Sequence, residues 1–299
     1  MVSVRHVMRL SNYLQTPDFL ASLPEKTPDE LRAWIFAKGK EWFDSYPEES
    51  MVIAKNLRAF GISADPALLH EIQKHVLLHY YEKMLPLCLA PSDYHRFLIE
   101  SVIMPSQFAE LQSAAAKGDG VVLATCHYGA VEYIAPALAA RGVQLTGVLR
   151  FSTTQLSTAA RTQADSLAAS GLFAQVNFIE IGNAKSAAAL DMAAVLRRGG
   201  VLLAVFDERT PYSVPVTILN KQVWGGAGLD RLIKFAQPSA RVFAAFAQRT
   251  GHDLCRIDLC PIEPRHSRLV QTMFDHLQSY LVPSCIQWYF LHEEIPFVD

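Results

Sequence analysis

The stretch that decides the fold is residues 118–150, GDGVVLATCHYGAVEYIAPALAARGVQLTGVLR. A continuous apolar run over 121–126 is followed by a segment with helical spacing over 130–140 and then by a second apolar run over 143–149. Short apolar runs of this kind indicate strands that are covered on both faces, and their alternation with helices is typical of βαβ units. The stretch therefore predicts an α/β fold with a mainly parallel central sheet flanked by helices.

The same alternation continues to the end of the chain. It predicts strands over 176–181, 201–206, 241–248 and 254–262, and helices over 158–169, 184–198, 229–236 and 269–281. Upstream, from about residue 28 to 116, the apolar spacing is helical, and Thr27-Pro28 and Asp65-Pro66 each supply a capping side chain and a first-turn proline. We therefore expect an N-terminal helical section, 1–116, before an α/β core, 117–299.

Composition excludes several classes of protein. The 299 residues include 27 basic and 29 acidic side chains, with no dense basic block, so nucleic acid is not an expected partner. No uncharged apolar run approaches the ~20 residues that span a bilayer, and the start of the chain lacks a signal-peptide pattern. Five cysteines without a CxxC pair predict neither a disulfide framework nor a metal site. We expect a cytoplasmic protein, with at most peripheral contact at the inner face of the membrane.

The candidate catalytic residues are His127 and Glu132. His127 follows the predicted strand 121–126, and the carboxyl ends of strands are where open α/β sheets bind ligands. A neutral imidazole can take a proton from an attacking hydroxyl, and a carboxylate can fix its tautomer and stabilise the imidazolium. We expect a turn at Tyr128-Gly129 to bring Glu132 within reach of one imidazole nitrogen. The alternative is that His127 only caps the strand and Glu132 is a solvated helix residue.

Further segments at later strand ends accompany this pair. They are VLR at 148–150, VFDERTP at 205–211, VPV at 214–216 and the ending QWYFLH at 287–292, with AKNLRAF at 54–60 in the front section. Together these segments resemble the lysophospholipid acyltransferase superfamily, and more closely its branch of bacterial lipid A late acyltransferases, the lauroyl and myristoyl transferases. The resemblance runs through most of the chain.

The resemblance implies a catalytic His-x4-Asp/Glu dyad, which maps onto His127 and Glu132. It also implies an arginine in a Gly-x-x-Arg setting, here residues 147–150, and an Asp-Gln-Asp-like loop, here 207–209, which differs at its second and third positions. The family's Gln-x-x-Trp-x-His-Arg-Arg ending is matched only in part, because both residues of 293–294 are glutamate.

Four polar residues complete the candidate site. Arg150 and Arg209 are candidates for binding a carrier or acceptor phosphate, or for stabilising an oxyanion, since a guanidinium supplies forked donors. An ordinary surface or salt-bridged arginine is the alternative for each. Asp207 and Glu208 belong to the same candidate substrate-binding set, and we expect Asp207 to organise its loop rather than to take part in proton transfer.

The resemblance implies direct attack of an acceptor on a thioester carbonyl, held on acyl carrier protein or coenzyme A, with no acyl-enzyme and no cofactor. The residues agree with this mechanism. The sequence has no Gly-x-Ser-x-Gly elbow, and Cys126 and His127 should face opposite ways as neighbours on a strand.

Two other patterns leave alternatives open. His75 and His79 have a zinc-compatible spacing on a predicted helix, but the glutamate of a zincin and a third ligand are missing, so we expect them to pack between helices. Apolar residues at 151, 156, 206 and 219–224 fit either an acyl-chain tunnel or the core.

The sequence thus predicts an acyltransferase that moves an acyl group from a carrier-protein or coenzyme A thioester to a hydroxyl or amine. Given the acidic ending and the lack of a membrane anchor, we expect a diffusible or carrier-tethered metabolite as the acceptor. The alternatives are a lipid A or lysophospholipid-type acyltransferase at the membrane surface, a thioester hydrolase that uses the same dyad, and a non-catalytic acyl- or carrier-binding protein. The last is favoured if Glu132 is exposed and turned away from His127.

Overall fold

The computed structural model describes residues 10–14, 16–23, 26–151, 154–181, 187–210, 212–226, 228–236, 240–251 and 253–298. The helices are α1 Leu10–Tyr13, α2 Pro17–Ala21, α3 Pro28–Ser45, α4 Pro47–Ala59, α5 Pro66–Met84, α6 Pro91–Ser101, α7 Phe108–Lys117, α8 Ile134–Ala139, α9 Thr154–Ala169, α10 Ala188–Arg197, α11 Gly228–Ala236 and α12 Leu269–Leu281. The strands are β1 Val102–Ile103, β2 Val121–Gly129, β3 Leu145–Leu149, β4 Val176–Glu180, β5 Val201–Val205, β6 Val214–Ile218, β7 Lys221–Gly225, β8 Arg241–Arg249 and β9 Cys255–Ile262.

Seven strands form one sheet in the order β1-β9-β8-β2-β5-β3-β4, and the hairpin β6-β7 stands apart from it. Neighbouring strands of the large sheet run parallel except for β8 and β9. The predicted fold class is confirmed: a mainly parallel sheet flanked by helices follows a helical N-terminal region. Within the described residues, no helix is long and apolar enough to cross a membrane.

Strand β2 is apolar along its length because both of its faces are covered. Val121 and Leu123 belong to a core that includes residues of the front helices, whereas Val122 and Ala124 belong to a second core with residues of α11 and α12. Alternate side chains of a strand point to opposite faces, so each face needs its own layer of helices.

Two N-terminal helices, α3 and α5, begin where the capping residues predict. Thr27 and Glu30 form a reciprocal capping box at the start of α3, and Asp65 accepts a hydrogen bond from the Leu68 N–H at the start of α5. The front section also contributes β1, whose Val102 pairs with Cys255 of β9. The division into 1–116 and 117–299 remains a prediction, but the two parts share one sheet and one core.

A polar contact joins the front section to the end of the chain. Asn56 of α4 donates hydrogen bonds to the carbonyl oxygens of Leu291 and Glu293, at 3.0 and 2.8 Å. The buried Glu49 carboxylate lies 2.6 Å from Nε2 of the equally buried His292. The segments at 54–60 and 287–292, which are far apart in the sequence, therefore meet in the fold.

Besides the short strand β1, which lies in the section expected to be helical, two elements differ from the prediction. The helix expected over 130–140 begins only at Ile134, after a 3₁₀ turn at Val131–Tyr133. Pro136 explains the delay, because a proline removes one helical N–H and its ring clashes with the carbonyl four residues earlier. The hairpin β6-β7 was not predicted, since its two-residue turn uses Leu219 and Asn220 at positive φ instead of the usual glycine.

An irregularity in β2 places the residues that follow its regular part. Thr125 pairs with Ala245 of β8, but Gly129 pairs with Ala247, so two extra residues of β2 are accommodated between these points. Bulges of this kind re-aim side chains and are common next to active sites. Gly129 closes the bulge at φ +60°, and a Cβ atom there would lie 1.9 Å from the carbonyl oxygen of Ala247.

Replacing Gly129 by alanine should therefore destabilise the protein more than the same change at Gly61. Gly61 has a similar φ of +76° but open space around it, so Gly61→Ala should lower the free energy of unfolding by only ~1–2 kcal/mol. Gly129→Ala adds a clash with backbone, which should cost a further ~1–3 kcal/mol. Guanidinium unfolding of the two variants measures the difference, and equal effects would contradict the close approach at Gly129.

Candidate active site

The candidate site lies where β2 and β5 end side by side. Thr125 of β2 is in register with Val205 of β5, and the Phe206 N–H donates to the Thr125 carbonyl at 2.9 Å. His127 and Asp207 each stand two residues beyond this last pair. The parallel register therefore brings two residues together that are 80 positions apart in the sequence.

Asp207 holds His127 through two contacts. Its Oδ2 accepts a hydrogen bond from the His127 backbone N–H at 2.8 Å, and its Oδ1 lies 3.0 Å from Nδ1 of the ring. The Asp207 side chain is only 1% exposed, so the carboxylate is fixed by these bonds in a place that water scarcely reaches. Because Nδ1 is occupied, Nε2 is the nitrogen that remains for a substrate, and it lies 3.7 Å from Oε1 of Glu208.

The expectation that Glu132 reaches the imidazole of His127 is wrong. Oε1 of Glu132 lies 3.5 Å from Nε2 of His79 and 3.9 Å from Nζ of Lys83, both on α5. The bulge and the 3₁₀ turn after Gly129 carry Glu132 toward α5 instead of back to β2. The carboxylate beside the ring is instead Asp207, and the expectation that Asp207 takes no part in proton transfer stays a prediction. A catalytic role for Glu132 stays a prediction.

The carboxylates around His127 set its protonation. Burial lowers the pKa of His127, but the charge of Asp207, its hydrogen bond and the charges of Glu208 and Glu132 outweigh that effect and raise the pKa to about 9. The ring is therefore mostly an imidazolium at neutral pH. It becomes a base only after it has lost this proton.

His79 has the opposite character. Burial, and then the positive charge of Lys83, hold the pKa of His79 well below its usual range. The ring is neutral, 5% exposed, and packs against the tilted ring of Tyr289 with centroids 4.4 Å apart. The expected packing role of His79 thus comes with a direct contact to Glu132, whereas His75 lies against Arg249, with Nδ1 3.1 Å from the guanidinium.

A cavity of about 360 Å³ opens beside His127, within the ~300–1,000 Å³ range of ligand pockets. Its polar lining includes His127, Glu132, Glu208, Arg150 and Lys83. The rest of the lining is largely apolar and comes from α8, α9 and the strands β3 to β5, with Ala160, Ala164, Leu167, Phe173, Phe178 and Leu203 among its members.

The lining of the cavity distinguishes the two alternatives, acyl-chain tunnel or core, for the apolar residues at 151, 156, 206 and 219–224. Phe151 and Leu156 line it, whereas Phe206 packs in the core against Phe246 and Phe274. The stretch 219–224 belongs to the β6-β7 hairpin and contributes nothing to the lining. Exposed Arg209 is also absent from the lining, so the geometry joins Arg150, but not Arg209, to the candidate site.

Several residues at the site were not singled out from the sequence. Phe290 lies against the His127 ring, with centroids 4.7 Å apart, and Lys83 and Glu82 line the cavity from α5. Glu82 is bound by both ends of the buried Arg249 guanidinium, at 2.6 and 2.8 Å. For Lys83 the available signal was its four-residue spacing from His79, which places both on one face of a helix. Phe290 lies in the segment 287–292, which the motif resemblance already included.

Cys126 does not line the cavity, although it is next to His127 in the sequence. Its side chain is buried in the second core, and burial followed by the charge of Asp207 raises the pKa of its thiol well above the usual value. Cys126 is therefore a thiol, not a thiolate, at neutral pH. Among the described residues, no group of three or more His, Cys, Asp or Glu side chains is placed to hold a metal ion.

The effects of Asp207 and Glu132 on the pKa of His127 can be measured separately. Asp207→Asn should bring the pKa of His127 down from about 9 toward its ordinary value of 6.5, because the negative charge of the carboxylate beside Nδ1 is lost. Glu132→Gln should change this pKa less, because Glu132 makes no direct contact with the ring. NMR titration of the His127 ring protons in both variants decides the matter. A larger change in Glu132→Gln would restore Glu132 as the partner.

Comparison with protein-family models and with curated proteins finds no match to this sequence. The resemblance to the lysophospholipid acyltransferase superfamily therefore rests on the motif residues alone.

Proposed function

We propose that this chain is an acyltransferase that moves an acyl group from an acyl-carrier-protein or coenzyme A thioester directly to a hydroxyl or amine. The observation that carries the proposal is the His127 ring, held by a buried carboxylate on Nδ1 and facing a mostly apolar cavity. An apolar cavity suits an acyl chain, and a histidine–carboxylate pair beside it suits proton transfer. The motif resemblance supports the same reaction.

The proposed chemistry uses Nε2 of His127. Nε2 takes a proton from the acceptor as the acceptor attacks the thioester carbonyl, and Asp207 stabilises the imidazolium that forms. The tetrahedral intermediate then expels the thiolate, which receives the proton from Nε2. Arg150, which lines the cavity, is a candidate for stabilising the oxyanion. The buried thiol of Cys126 has no part in the reaction, so no acyl-enzyme forms.

Two alternatives use the same cavity. In a thioester hydrolase, water would take the place of the acceptor, and free acid would form without any acceptor present. In a non-catalytic binding protein, the thioester would survive. Glu132 is 30% exposed and is not paired with His127, which is the arrangement expected of a binding protein. We nevertheless favour catalysis, because Asp207 supplies the carboxylate that Glu132 does not.

The acceptor in our proposal is a diffusible or carrier-tethered metabolite. Aromatic side chains of helix α3 could in principle enter a bilayer, but they are engaged in packing. Trp42 and Phe43 are buried, and Trp34 stacks on Phe19 with ring centroids 4.4 Å apart. Membrane attachment through these rings would require their contacts to break. A lipid A or lysophospholipid-type acceptor at the membrane surface remains the alternative.

Removal of the base should abolish transfer. We expect His127→Ala to lower kcat/KM by ~10²–10⁴ without unfolding the protein, because the side chain is 20% exposed and faces the cavity. In the wild type, kcat/KM should rise with pH and level off above a pH of about 9, since a raised pKa keeps the base protonated below it. The rate of thiol release from dodecanoyl coenzyme A measures both the loss of kcat/KM in His127→Ala and the pH profile of the wild type. A folded His127→Ala protein with normal turnover would contradict the proposal.

The cavity should determine which acyl chains are accepted. Ala164 of α9 is buried and lines the cavity, so Ala164→Phe should lower kcat/KM for the longest accepted donor by about tenfold or more and spare short donors. Ala169→Phe, at the exposed end of the same helix, is the matched control and should leave the profile unchanged. A series of acyl coenzyme A donors from four to sixteen carbons gives the readout. Identical profiles for the two variants would place the acyl chain elsewhere.

A further inference from the structure

Glu208 stands next to the atom that must accept the proton. Its Oε1 lies 3.7 Å from Nε2 of His127, and its side chain is 34% exposed and lines the cavity. Any nucleophile that gives its proton to Nε2 must therefore occupy a place beside this carboxylate. The geometry of Glu208 thus bears directly on the chemical class of the acceptor.

The other carboxylates near the cavity already have partners. Glu132 lies within ion-pair distance of Lys83, Glu82 is held by Arg249, and Asp207 accepts from His127. For Glu208, no lysine or arginine of the described residues lies within ion-pair distance, and its neighbour is the His127 ring. Once His127 is neutral, as a base must be, Glu208 has no cation within ion-pair distance among the described residues, so a positively charged group of a substrate can take that place.

We infer that the acceptor is a primary amine that binds as an ammonium ion, and that Glu208 selects it. The inference rests on the proposed acyl transfer and adds the class of nucleophile. An ammonium group has three N–H donors, so it can give one to Glu208 and another to Nε2 while also neutralising the carboxylate. A hydroxyl group has a single donor and cannot serve both atoms at once.

The protons balance in this scheme. The bound ammonium first gives one proton to neutral His127, which passes it to solvent. The resulting amine attacks the thioester carbonyl, a C–N bond forms, and Nε2 takes the second proton from nitrogen. The C–S bond then breaks, and the thiolate leaves with that proton. The products are an amide, a free thiol and one proton released to solvent.

The test uses an acceptor that carries both groups. The full-length protein is given dodecanoyl coenzyme A with 4-amino-1-butanol, and separately with 1,4-diaminobutane or 1,4-butanediol, and the products are identified by mass spectrometry. Hydroxylamine cleaves esters much faster than amides and so distinguishes O- from N-acylation. We expect the amide from aminobutanol and faster thiol release with the diamine than with the diol. His127→Ala measures the uncatalysed reaction of the amine with the thioester.

Variants at position 208 test the selecting residue. Glu208→Gln should raise the KM for the amine about fivefold, the size of one partly exposed charge pair, whereas Glu208→Asp should restore much of the binding. Glu100→Gln, at an exposed position on α6, is the control for loss of a carboxylate elsewhere. Circular dichroism checks that each variant is folded.

The outcomes separate the inference from the proposed function. Ester as the main product, or an amine KM that Glu208→Gln leaves unchanged, overturns the amine inference but leaves acyl transfer standing. A thioester that stays intact with every acceptor, or that yields only free acid, overturns acyl transfer and the inference together.

Discussion

The hydrogen bonds between His127 and Asp207 depend on how two parallel strands end. Regular pairing of β2 with β5 stops at Thr125 and Val205, and the next residues of both chains turn toward the same edge of the sheet. Several contacts keep them there. The Gly129 N–H donates to the Gln287 carbonyl at 2.9 Å, and the Gly226 N–H donates to the Phe206 carbonyl at the same distance. The segment at Gln287 thus holds the end of β2, and the residue after the β6-β7 hairpin holds the end of β5.

The helical front section belongs to the site as much as the sheet does. α5 places Lys83 and Glu82 in the cavity lining and His79 against Glu132. Its position is set in turn by the buried contacts that tie the front section to the chain ending, and Tyr80 of α5 meets Tyr289 with their hydroxyl oxygens 2.5 Å apart. A change in this helix would therefore alter the electrostatics of the cavity, and the charge of His127 already acts on the pKa of His79.

Local sequence predicted most of the fold and one half of the His127–Asp207 pair. Apolar runs and capping residues are local signals, so the strand that carries His127 and the starts of α3 and α5 were predictable. The partner of His127 was not, because Asp207 meets it only through the adjacency of β2 and β5, and strand order is a property of the whole sheet. The pattern His-x4-Glu suggested a nearer partner, but it contained neither the bulge of β2 nor the effect of Pro136 on the helix that follows.

The three carboxylates around His127, from Asp207, Glu132 and Glu208, differ in how deeply they are buried. Asp207 is almost fully buried behind the ring, and its charge raises the pKa of His127 and that of the Cys126 thiol. Glu132 and Glu208 are each about one-third exposed and face the cavity, where a substrate can meet them. A buried charge is held by fixed hydrogen bonds and tunes the protein groups around it, whereas a charge at a cavity wall can exchange one partner for another. Because Glu132 already has Lys83, the carboxylate left to respond to the protonation of His127 is Glu208, beside the nitrogen where the proposed reaction takes place.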